Sequence, residues 1–293
     1  MTVAQDWARR RTHHHAEFSP GLLAERRSES VSVCLPAKEV AATIEPIVRD
    51  LVRLRETGVI DQVVVIDAAS GDGTASLAER AGAEVHQEAA LLPEFGAPRG
   101  KGDAMWRALS VLRGDVVCYL DADSEAFGPH FACGLLGPLL SDPTVHFVKA
   151  FYRRPFRLGE VTLPEGGGRV TELTARPALA LFWPELAEVR QPLAGEFAAR
   201  RELLARIPFA TGYAIETQML LDVYREVGLD ALAQVDLDIR QNRHQTLAAL
   251  HPMAREVLEA VASRLDAEGR LAGERPELDL VERPPMASVR AAA

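Results

Sequence analysis

Apolar runs alternate with amphipathic stretches through the first half of the chain. Five short runs have the pattern of buried β-strands, over residues 31–35, 62–67, 84–86, 115–120 and 145–151. Between them, apolar positions recur at helical spacing over residues 41–57, 74–82, 101–112 and 129–140. Because the strands are apolar throughout and alternate with helices, we predict an α/β fold with a mostly parallel sheet and helices on both faces.

The second half of the chain is less regular. Apolar spacing predicts helices over residues 170–182, 213–227 and 246–266, and a strand near 233–239. The first residues are polar and arginine-rich, and the last are rich in proline, glutamate and alanine. We therefore expect four parts: an N-terminal arm over 1–28, a sheet half over 29–150, a second half with C-terminal helices over 151–272, and a mobile tail over 273–293.

Composition and charge narrow the class of protein. Of 293 residues, 47% are apolar and 26% charged, a globular balance that excludes a disordered chain or a disulfide scaffold. The net charge of −9 does not favour a nucleic-acid partner. No apolar run reaches the ~18 residues that cross a bilayer, and the N-terminus lacks the apolar core of a signal peptide. We expect a cytoplasmic protein without a membrane partner.

The cysteines and a histidine run are weak candidates for metal sites. Cys34, Cys118 and Cys133 lie in apolar surroundings without metal-ligand spacing, so we expect buried thiols. The run His13–His15 resembles a metal-binding tract. We favour a solvated arm, because a metal site needs ligands in a preset geometry.

Two aspartates, Asp121 and Asp123, directly follow the predicted strand 115–120. They therefore lie at the carboxyl edge of the sheet. A carboxylate pair there suits a hard divalent cation, which could neutralise a leaving diphosphate. A solvated turn is the alternative, since the D-x-D string alone is not specific.

Other polar residues are expected at the same edge. The stretch Pro36–Glu39 follows the first strand and Asp67 ends the second, where open α/β sheets contact nucleotides. The chain has neither the G-x-G-x-x-G pattern after its first strand nor a P-loop. We therefore do not expect a dinucleotide-dependent oxidoreductase or a P-loop NTPase.

Two glycine-rich segments could bind anions. Lys101 lies between Gly100 and Gly102 at a helix start, where it could bind a diphosphate or face solvent. The segment 166–171, Gly-Gly-Gly-Arg-Val-Thr, offers backbone N–H groups, a guanidinium and a hydroxyl to a phosphate or carboxylate. A plain flexible loop is the alternative there.

In chain order, these motifs resemble a known family. The GKG-x-A-x-W-R helix start, the D-x-D, the FYRRP string and the GGGRVTEL stretch are similar to the retaining GT-A glycosyltransferases that make glucosyl-3-phosphoglycerate or mannosyl-3-phosphoglycerate. The likeness runs from about residue 31 to about residue 262. It implies a GT-A nucleotide-diphospho-sugar transferase fold, with the donor in the sheet half and the acceptor in the second half.

The resemblance implies roles for individual residues. Catalysis would involve Lys101, Asp123 and Glu216, with Glu216 bonding sugar hydroxyls in preference to acting as a nucleophile. Mg²⁺ or Mn²⁺ would be held by Asp121, Asp123 and His244. The donor would contact Pro36, Ala37, Lys38, Glu39, Asp67, Lys101, Asp121, Ala122, Leu193 and Tyr213. The acceptor would contact Gly167, Gly168, Arg169, Val170, Thr171, Arg240 and Asn242.

Two departures from the family pattern bear on the donor and the metal. The family's PALNEE after the first strand is here PAKEVA, and its late R-x-H-R-N is here RQNRH. We expect transfer of mannose from GDP-mannose to 3-phosphoglycerate for compatible-solute synthesis, by a homodimer. Glucosyl transfer from UDP- or GDP-glucose is the alternative. A sugar-phosphate nucleotidyltransferase and a silent nucleotide-sugar-binding module are readings from other classes.

Overall fold

The computed structural model describes residues 1–158, 161–163, 167–240, 246–273 and 277–291. Its α-helices are α1 (Val3–Arg11), α2 (Pro20–Arg26), α3 (Ala41–Glu56), α4 (Thr74–Ala81), α5 (Lys101–Ala108), α6 (His130–Ser141), α7 (Arg176–Phe182), α8 (Arg201–Arg206), α9 (Ile215–Val227), α10 (His251–Ala267) and α11 (Met286–Ala291). A π-helical turn, Thr171–Ala175, leads directly into α7.

The strands of the described residues are β1 (Thr12–His14), β2 (Val31–Ala37), β3 (Gln62–Asp67), β4 (Glu84–Gln87), β5 (Val116–Tyr119), β6 (Phe147–Arg153), β7 (Phe156–Leu158), β8 (Val161–Leu163), β9 (Phe197–Arg200), β10 (Phe209–Ala210), β11 (Leu232–Ile239) and β12 (Glu282–Arg283). β7 and β8 form an antiparallel pair, as do β10 and β12.

The main sheet confirms the predicted mostly parallel architecture. Its strand order is β1-β11-β6-β9-β5-β2-β3-β4, and the neighbours pair in parallel except on both sides of β9. The carboxyl ends of the parallel strands therefore share one edge with the start of β9. This edge collects the polar residues that leave the strands, as in other open α/β sheets.

Both faces of the sheet are covered. All six residues of β3 are buried, and its four central residues, Val63–Ile66, are all apolar, as in strands covered on both faces. On one face, α3 and α6 pack Ile44, Leu51 and Phe131 against the strands. On the other, α5 and α9 contribute Trp106 and Met219.

The N-terminal segment is not the solvated arm that we expected. β1 lies beside β11 as a parallel edge strand, in register Thr12↔Gln234 and His14↔Asp236. Trp7 of α1 is buried, and its indole Nε1 donates to the carbonyl of Leu232 at 2.8 Å. The histidine run thus belongs to a docked strand and the turn that follows it.

The C-terminal segment also differs from the mobile tail of the sequence prediction. β12 pairs with β10, and both Arg283 and Met286 are buried. The Arg283 guanidinium binds both oxygens of the buried Asp103 on α5, at 2.8 and 2.7 Å. A pattern rich in proline and charge did not reveal this anchoring.

Two further predictions concern the cysteines and membrane-spanning segments, and the described residues allow both to be compared with the structure. The three cysteines are free and buried, as expected, and burial raises the pKa of the Cys133 thiol to about 12. The described helices include none with the length and apolarity that a bilayer crossing requires.

Candidate active site

The D-x-D pair leaves the sheet where β5 ends. The side chain of Asp121 is 18% exposed and that of Asp123 is 57% exposed. Burial by itself would raise the pKa of Asp121, but the cations of Lys101 and Arg240 outweigh it and hold the pKa below its usual range. Asp121 is therefore an ionised, cation-paired carboxylate, and Asp123 is the member of the pair open to solvent.

Lys101 is the first residue of α5. Its Nζ donates to Asp121 Oδ1 at 2.6 Å and to Glu216 Oε1 at 3.0 Å. Burial alone would lower the pKa of Lys101, yet the carboxylates of Asp121 and Glu216 raise it. The ammonium stays charged at a helix N-terminus, where an anion is favoured. Gly102 is required here, because a Cβ at this position would collide with the carbonyl of Ala210.

A loop before β9 passes closely over this ion pair. A Cβ on Gly195 would collide with Lys101 Nζ and lie 2.5 Å from both carboxylate oxygens of Asp121. The residue before it, Ala194, accepts a hydrogen bond from the Nζ of Lys149 at 2.6 Å. Lys149 was not among the predicted site residues. The feature of the sequence that could have identified it is the rarity of lysine, since this arginine-rich chain has three lysines in all. Burial lowers its pKa to about 8.

Arg240 cross-links the site from the end of β11. Its guanidinium lies 2.8 Å from Asp121 Oδ2, 2.8 Å from Asp123 Oδ1 and 2.6 Å from Glu196 Oε1. We expected this residue among the acceptor contacts. The structure places it, buried, in contact with the D-x-D pair. Direct contact with an acceptor stays a prediction.

Glu196 and Tyr152 complete this network, and sequence reasoning gave neither a role. The Tyr152 hydroxyl donates to Glu196 Oε2 at 2.8 Å and accepts from the guanidinium of Arg240 at 2.8 Å. Burial raises the pKa of Glu196, although Arg240 opposes the shift. Tyr152 lies in the FYRRP string of the resemblance, but its contact with Glu196 joins segments far apart in the chain.

The glycine-rich loop connects to the same network. Gly167 donates its N–H to the carbonyl of Arg154 at 3.2 Å, and a Cβ on Gly167 would lie 2.5 Å from Arg154 Cβ. Arg154 in turn donates to the Tyr152 hydroxyl at 2.8 Å. Gly168 has φ +72°, a left-handed conformation that suits glycine. The loop and the D-x-D pair are thus joined through Arg154, Tyr152 and Arg240.

The residues after the glycines lead into the π-helical turn. Arg169 is half-buried, while Val170 and Thr171 are buried. Val170 packs in a small apolar cluster that includes Leu193, the predicted donor contact, on its margin. The predicted acceptor loop and this donor residue are therefore neighbours.

The predicted donor residues line the ends of β2 and β3. Ala37 and Asp67 are register partners and both are buried. Asp67 Oδ2 accepts from Ser70 N at 3.1 Å and from Gln87 Nε2 at 2.9 Å. Its Oδ1 is buried without a hydrogen-bond partner among the described residues. Such an oxygen is costly unless a ligand or water supplies a donor.

The neighbouring residues differ in exposure. Pro36 is half-buried and Lys38 is exposed. Glu39 has φ +53°, and its Oε1 accepts from the N–H of Gly71 at 2.8 Å. Ala122 is buried, with its carbonyl bonded to the hydroxyl of Thr43 at 2.6 Å. The carboxylate of Glu39 is thus engaged with the loop after β3.

Tyr213 and Glu216 begin the helical region that faces Lys101. Tyr213 is exposed, and its backbone N–H donates to Glu256 Oε2 at 2.6 Å. Glu216, in the first turn of α9, is buried and reaches Lys101. The predicted residues Asn242 and His244 lie outside the described residues.

The donor set fits a hard divalent cation. Lys101 and Arg240 together contact both oxygens of Asp121 and one oxygen of Asp123. The second oxygen of Asp123 is outside these contacts, on a side chain open to solvent. Carboxylate oxygens are the ligands that Mg²⁺ and Mn²⁺ prefer. Asp123 is therefore the better placed of the two predicted aspartate ligands.

Comparison with known proteins shows the family of the chain. Residues 32–202 match the family model described as glycosyl transferase family 2. The glucosyl-3-phosphoglycerate synthase of Petrotoga mobilis is 40% identical over 268 residues, covering 89% of this chain and 82% of that protein. The corresponding protein of Mycobacterium tuberculosis is 43% identical over 257 residues, covering 86% and 79%.

Solved structures extend the likeness over nearly the whole chain. The crystal structure of mannosyl-3-phosphoglycerate synthase from Rubrobacter xylanophilus is 48% identical with a TM-score of 0.90, covering 98% of both chains. Glucosyl-3-phosphoglycerate synthase from M. tuberculosis, in complex with Mn²⁺, uridine diphosphate and phosphoglyceric acid, is 38% identical with a TM-score of 0.84, covering 96% and 99%. The chain therefore belongs to glycosyl transferase family 2 and, within it, to the hexosyltransferase family of the glucosyl- and mannosyl-3-phosphoglycerate synthases.

Proposed function

We propose that the protein is a metal-dependent, retaining hexosyltransferase that moves mannose from GDP-mannose onto 3-phosphoglycerate. The observation that carries the reaction class is the linked group of Lys101, the D-x-D pair and Arg240, joined through Tyr152 to the glycine-rich loop. In this arrangement the binding site for the donor diphosphate lies beside the binding site for a phosphorylated acceptor. The product is mannosyl-3-phosphoglycerate, a precursor for compatible-solute synthesis.

Lys101 and the N-terminus of α5 bind the donor diphosphate. The ammonium remains protonated, because Asp121 and Glu216 raise the pKa of Lys101. It therefore stabilises the charge of the leaving nucleoside diphosphate without giving up its proton. Asp123, with Asp121 beside it, would hold the divalent cation. When bound, that ion supplies further neutralisation of the leaving diphosphate.

The glycine-rich loop binds 3-phosphoglycerate. Gly168, Arg169 and Thr171 offer backbone N–H groups, a guanidinium and a hydroxyl, which suit a phosphate and a carboxylate. The hydroxyl of the acceptor then attacks on the face from which the diphosphate leaves, and its proton passes to a departing phosphate oxygen. Retention of the α configuration follows from this same-face attack.

Glu216 positions the sugar. Its Oε1 accepts a hydrogen bond from the ammonium of Lys101, which makes this oxygen a weaker nucleophile. Hydrogen bonds from sugar hydroxyls to Glu216 fit that environment better than a covalent glycosyl intermediate. Leu193 and Tyr213 contribute apolar and aromatic surface beside it.

The choice of mannose rests on one observation. The identity to the mannosyl enzyme of R. xylanophilus is 48%, against 38% to the solved glucosyl enzyme of M. tuberculosis. Asp67 Oδ1, without a partner among the described residues, can accept an N–H of the donor base, whether guanine or uracil. Glucosyl transfer from UDP- or GDP-glucose is the second candidate, favoured by the names of the curated relatives.

A product assay tests the proposal. The protein is incubated with Mg²⁺, 3-phosphoglycerate and, in separate reactions, GDP-mannose, GDP-glucose or UDP-glucose, and the products are identified by mass and NMR. We expect α-mannosyl-3-phosphoglycerate as the fastest-formed product. Faster glucosyl transfer would select the second candidate. Pyrophosphate-dependent nucleotide exchange without a glycoside would instead indicate a nucleotidyltransferase, and binding without turnover a silent module.

A homodimer and a cytoplasmic location stay predictions. The π-helical turn and α7 carry Leu173 and Leu181, which are 73% and 72% exposed in the single chain. Both side chains would be available to an interface with a second copy of the chain. Light scattering of the purified chain measures the mass directly, and a monomer at all concentrations would contradict the dimer.

A further inference from the structure

A second group of ligand-type side chains lies outside the active site, where β1 runs along β11. His15 Nε2 is 2.7 Å from Asp238 Oδ2, and His14 Nε2 is 3.6 Å from Asp238 Oδ1. One ligand atom from each of the three residues lies within 4.8 Å of the others. Two imidazoles and a carboxylate thus converge from segments more than two hundred residues apart.

We propose that His14, His15 and Asp238 bind one divalent transition-metal ion of the zinc type. Imidazole nitrogen and carboxylate oxygen are the ligands that Zn²⁺ combines in proteins. Tetrahedral bonds of about 2.0–2.1 Å place ligand atoms about 3.3 Å apart, so the cluster needs only small shifts. The side chains of His14 and Asp238 are 46% and 47% exposed, which leaves a fourth position to water.

The surroundings keep the ligands in place. The ring of His130 packs on that of His15, with centroids 4.7 Å apart, and bonds the backbone of Leu237. The competing cation is Arg153, whose guanidinium is 3.8 Å from Asp238 Oδ1 on an exposed side chain.

Binding requires the ring proton to leave Nε2 in both histidines. The Nδ1 of His14 accepts from the N–H of Ala16 at 3.2 Å, which places its ring proton on Nε2, and the Nε2 of His15 donates to the Asp238 carboxylate at 2.7 Å. Coordination through Nε2 moves each proton to the Nδ1 of its own ring. The hydrogen bonds to Ala16 and Asp238 are exchanged for metal–ligand bonds.

The ion would fasten the N-terminal segment to the strand that ends at the active site. Asp238 has φ +66° and lies where the register of β11 with β6 is irregular. Two residues later, Arg240 contacts both aspartates of the D-x-D pair. The site is therefore structural, and its occupancy fixes the backbone that delivers Arg240.

Metal binding to the full chain tests the proposal. The chain is made without a polyhistidine tag, treated with chelator and kept in excess Mg²⁺, then titrated with Zn²⁺ by calorimetry and with Co²⁺ by visible absorption. We expect one Zn²⁺ per chain and the absorption bands of tetrahedral Co²⁺. The Asp123→Asn variant should keep both signals, which separates this site from the D-x-D pair.

Two variants test the ligands, and a third is their control. Asp238→Gly removes the carboxylate, and glycine adopts φ +66° without strain, so the backbone is preserved. This variant and His15→Gln should each lower the Zn²⁺ affinity at least about 100-fold. His13→Ala, beside the cluster but outside it, should bind as the wild type does. If circular dichroism shows that His15→Gln is unfolded, the Zn²⁺ affinity of Asp238→Gly alone tests the proposal.

Three results would overturn the proposal. One is a wild-type chain that binds no Zn²⁺ in excess Mg²⁺. Another is full Zn²⁺ binding by Asp238→Gly, and the third is loss of the ion in Asp123→Asn but not in Asp238→Gly. None of these readouts depends on glycosyl transfer, so the proposed function is tested separately.

Discussion

Asp121 and Asp123 are two residues apart, yet their carboxylates have different surroundings. Asp121 lies between the ammonium of Lys101 and the guanidinium of Arg240, while more than half of the Asp123 side chain is exposed. The first carboxylate holds two cations in place. The second is free to exchange Arg240 for a metal ion or to bind both.

Replacing Asp123 should remove activity and leave the fold intact. We expect Asp123→Ala to lower kcat at saturating Mg²⁺ by at least about 10³-fold, because the leaving diphosphate loses its metal. The melting temperature should change by less than about 3 °C, since the side chain is exposed. Glu125→Ala, an exposed acid of the same loop, is the control and should keep wild-type kcat. Near-normal turnover by Asp123→Ala would exclude Asp123 as the metal ligand.

Glu88 is a buried carboxyl that the proposed reaction does not use. Burial, and then the charge of Asp103, raise its pKa from 4.5 to about 7. The folded chain therefore keeps this proton to a higher pH than the unfolded chain does. The contribution of Glu88 to stability is present below about pH 4.5 and is lost as the pH rises through 7.

Removing this charge should stabilise the protein in weak base. At pH 8 we expect Glu88→Gln to raise the free energy of unfolding by about 2 kcal/mol, with little difference from wild type at pH 4.5. Urea unfolding at both pH values measures the two differences. Equal effects at the two pH values would show that Glu88 ionises normally in the folded chain.

At this scale the structure brings together residues to which the sequence assigned separate roles. Lys101 and Glu216 were predicted for catalysis and Asp121 for the metal and donor, and Lys101 contacts the other two. The residues behind them, Tyr152 and Glu196, were given no role. Their roles depend on Arg240 reaching back across the sheet, which no local spacing encodes.

Among the elements, buried strands were predicted best. The run 62–67 matches β3 residue for residue, since its centre, Val63–Ile66, is an unbroken apolar run buried on both faces. β9 was missed because its sequence, Phe-Ala-Ala-Arg, has no β-branched residue and continues directly into α8. β1 was missed because an edge strand of threonine and histidine is polar along its length.

The loop before β9 offers a test of close packing. Gly195→Ala introduces a Cβ that collides with Lys101 Nζ and crowds Asp121. We expect kcat to fall about 10- to 100-fold because these groups must shift, with a melting temperature close to wild type. Steady-state kinetics and thermal unfolding provide the two measurements.

The control for this substitution is Gly21→Ala in α2. A Cβ at that position meets no atom within 4 Å among the described residues. It should leave kcat unchanged and stabilise the helix slightly. If Gly195→Ala is as active as Gly21→Ala, the site tolerates displacement of the Lys101–Asp121 pair.

Across the whole molecule, the C-terminal segment stabilises the helix that carries Lys101. Arg283 binds Asp103 on α5, which also pairs with Arg107, and all three side chains are buried. Arg283→Met leaves Asp103 with one partner fewer in a buried setting. We expect a loss of about 3 kcal/mol in the free energy of unfolding, measured from the denaturant midpoint.

A matched exposed pair serves as the comparison. Arg206 contacts Glu226 at 2.8 Å, and both side chains are exposed. Arg206→Met should change the denaturant midpoint little, because exposed ion pairs contribute weakly. If both variants lost the same stability, burial of the Arg283–Asp103 pair would not be the reason.

The position of β9 limits how specificity can change in such an enzyme. β9 belongs to the second half of the sequence, but it pairs on one side with β5 and on the other with β6. A cut near residue 150 would therefore open the middle of the sheet. Exchange of whole halves between related enzymes would leave β5 and β6 without their partner. Specificity for a new sugar donor or a new acceptor substrate must instead arise by substitutions in the loops at the carboxyl edge of the sheet, one residue at a time.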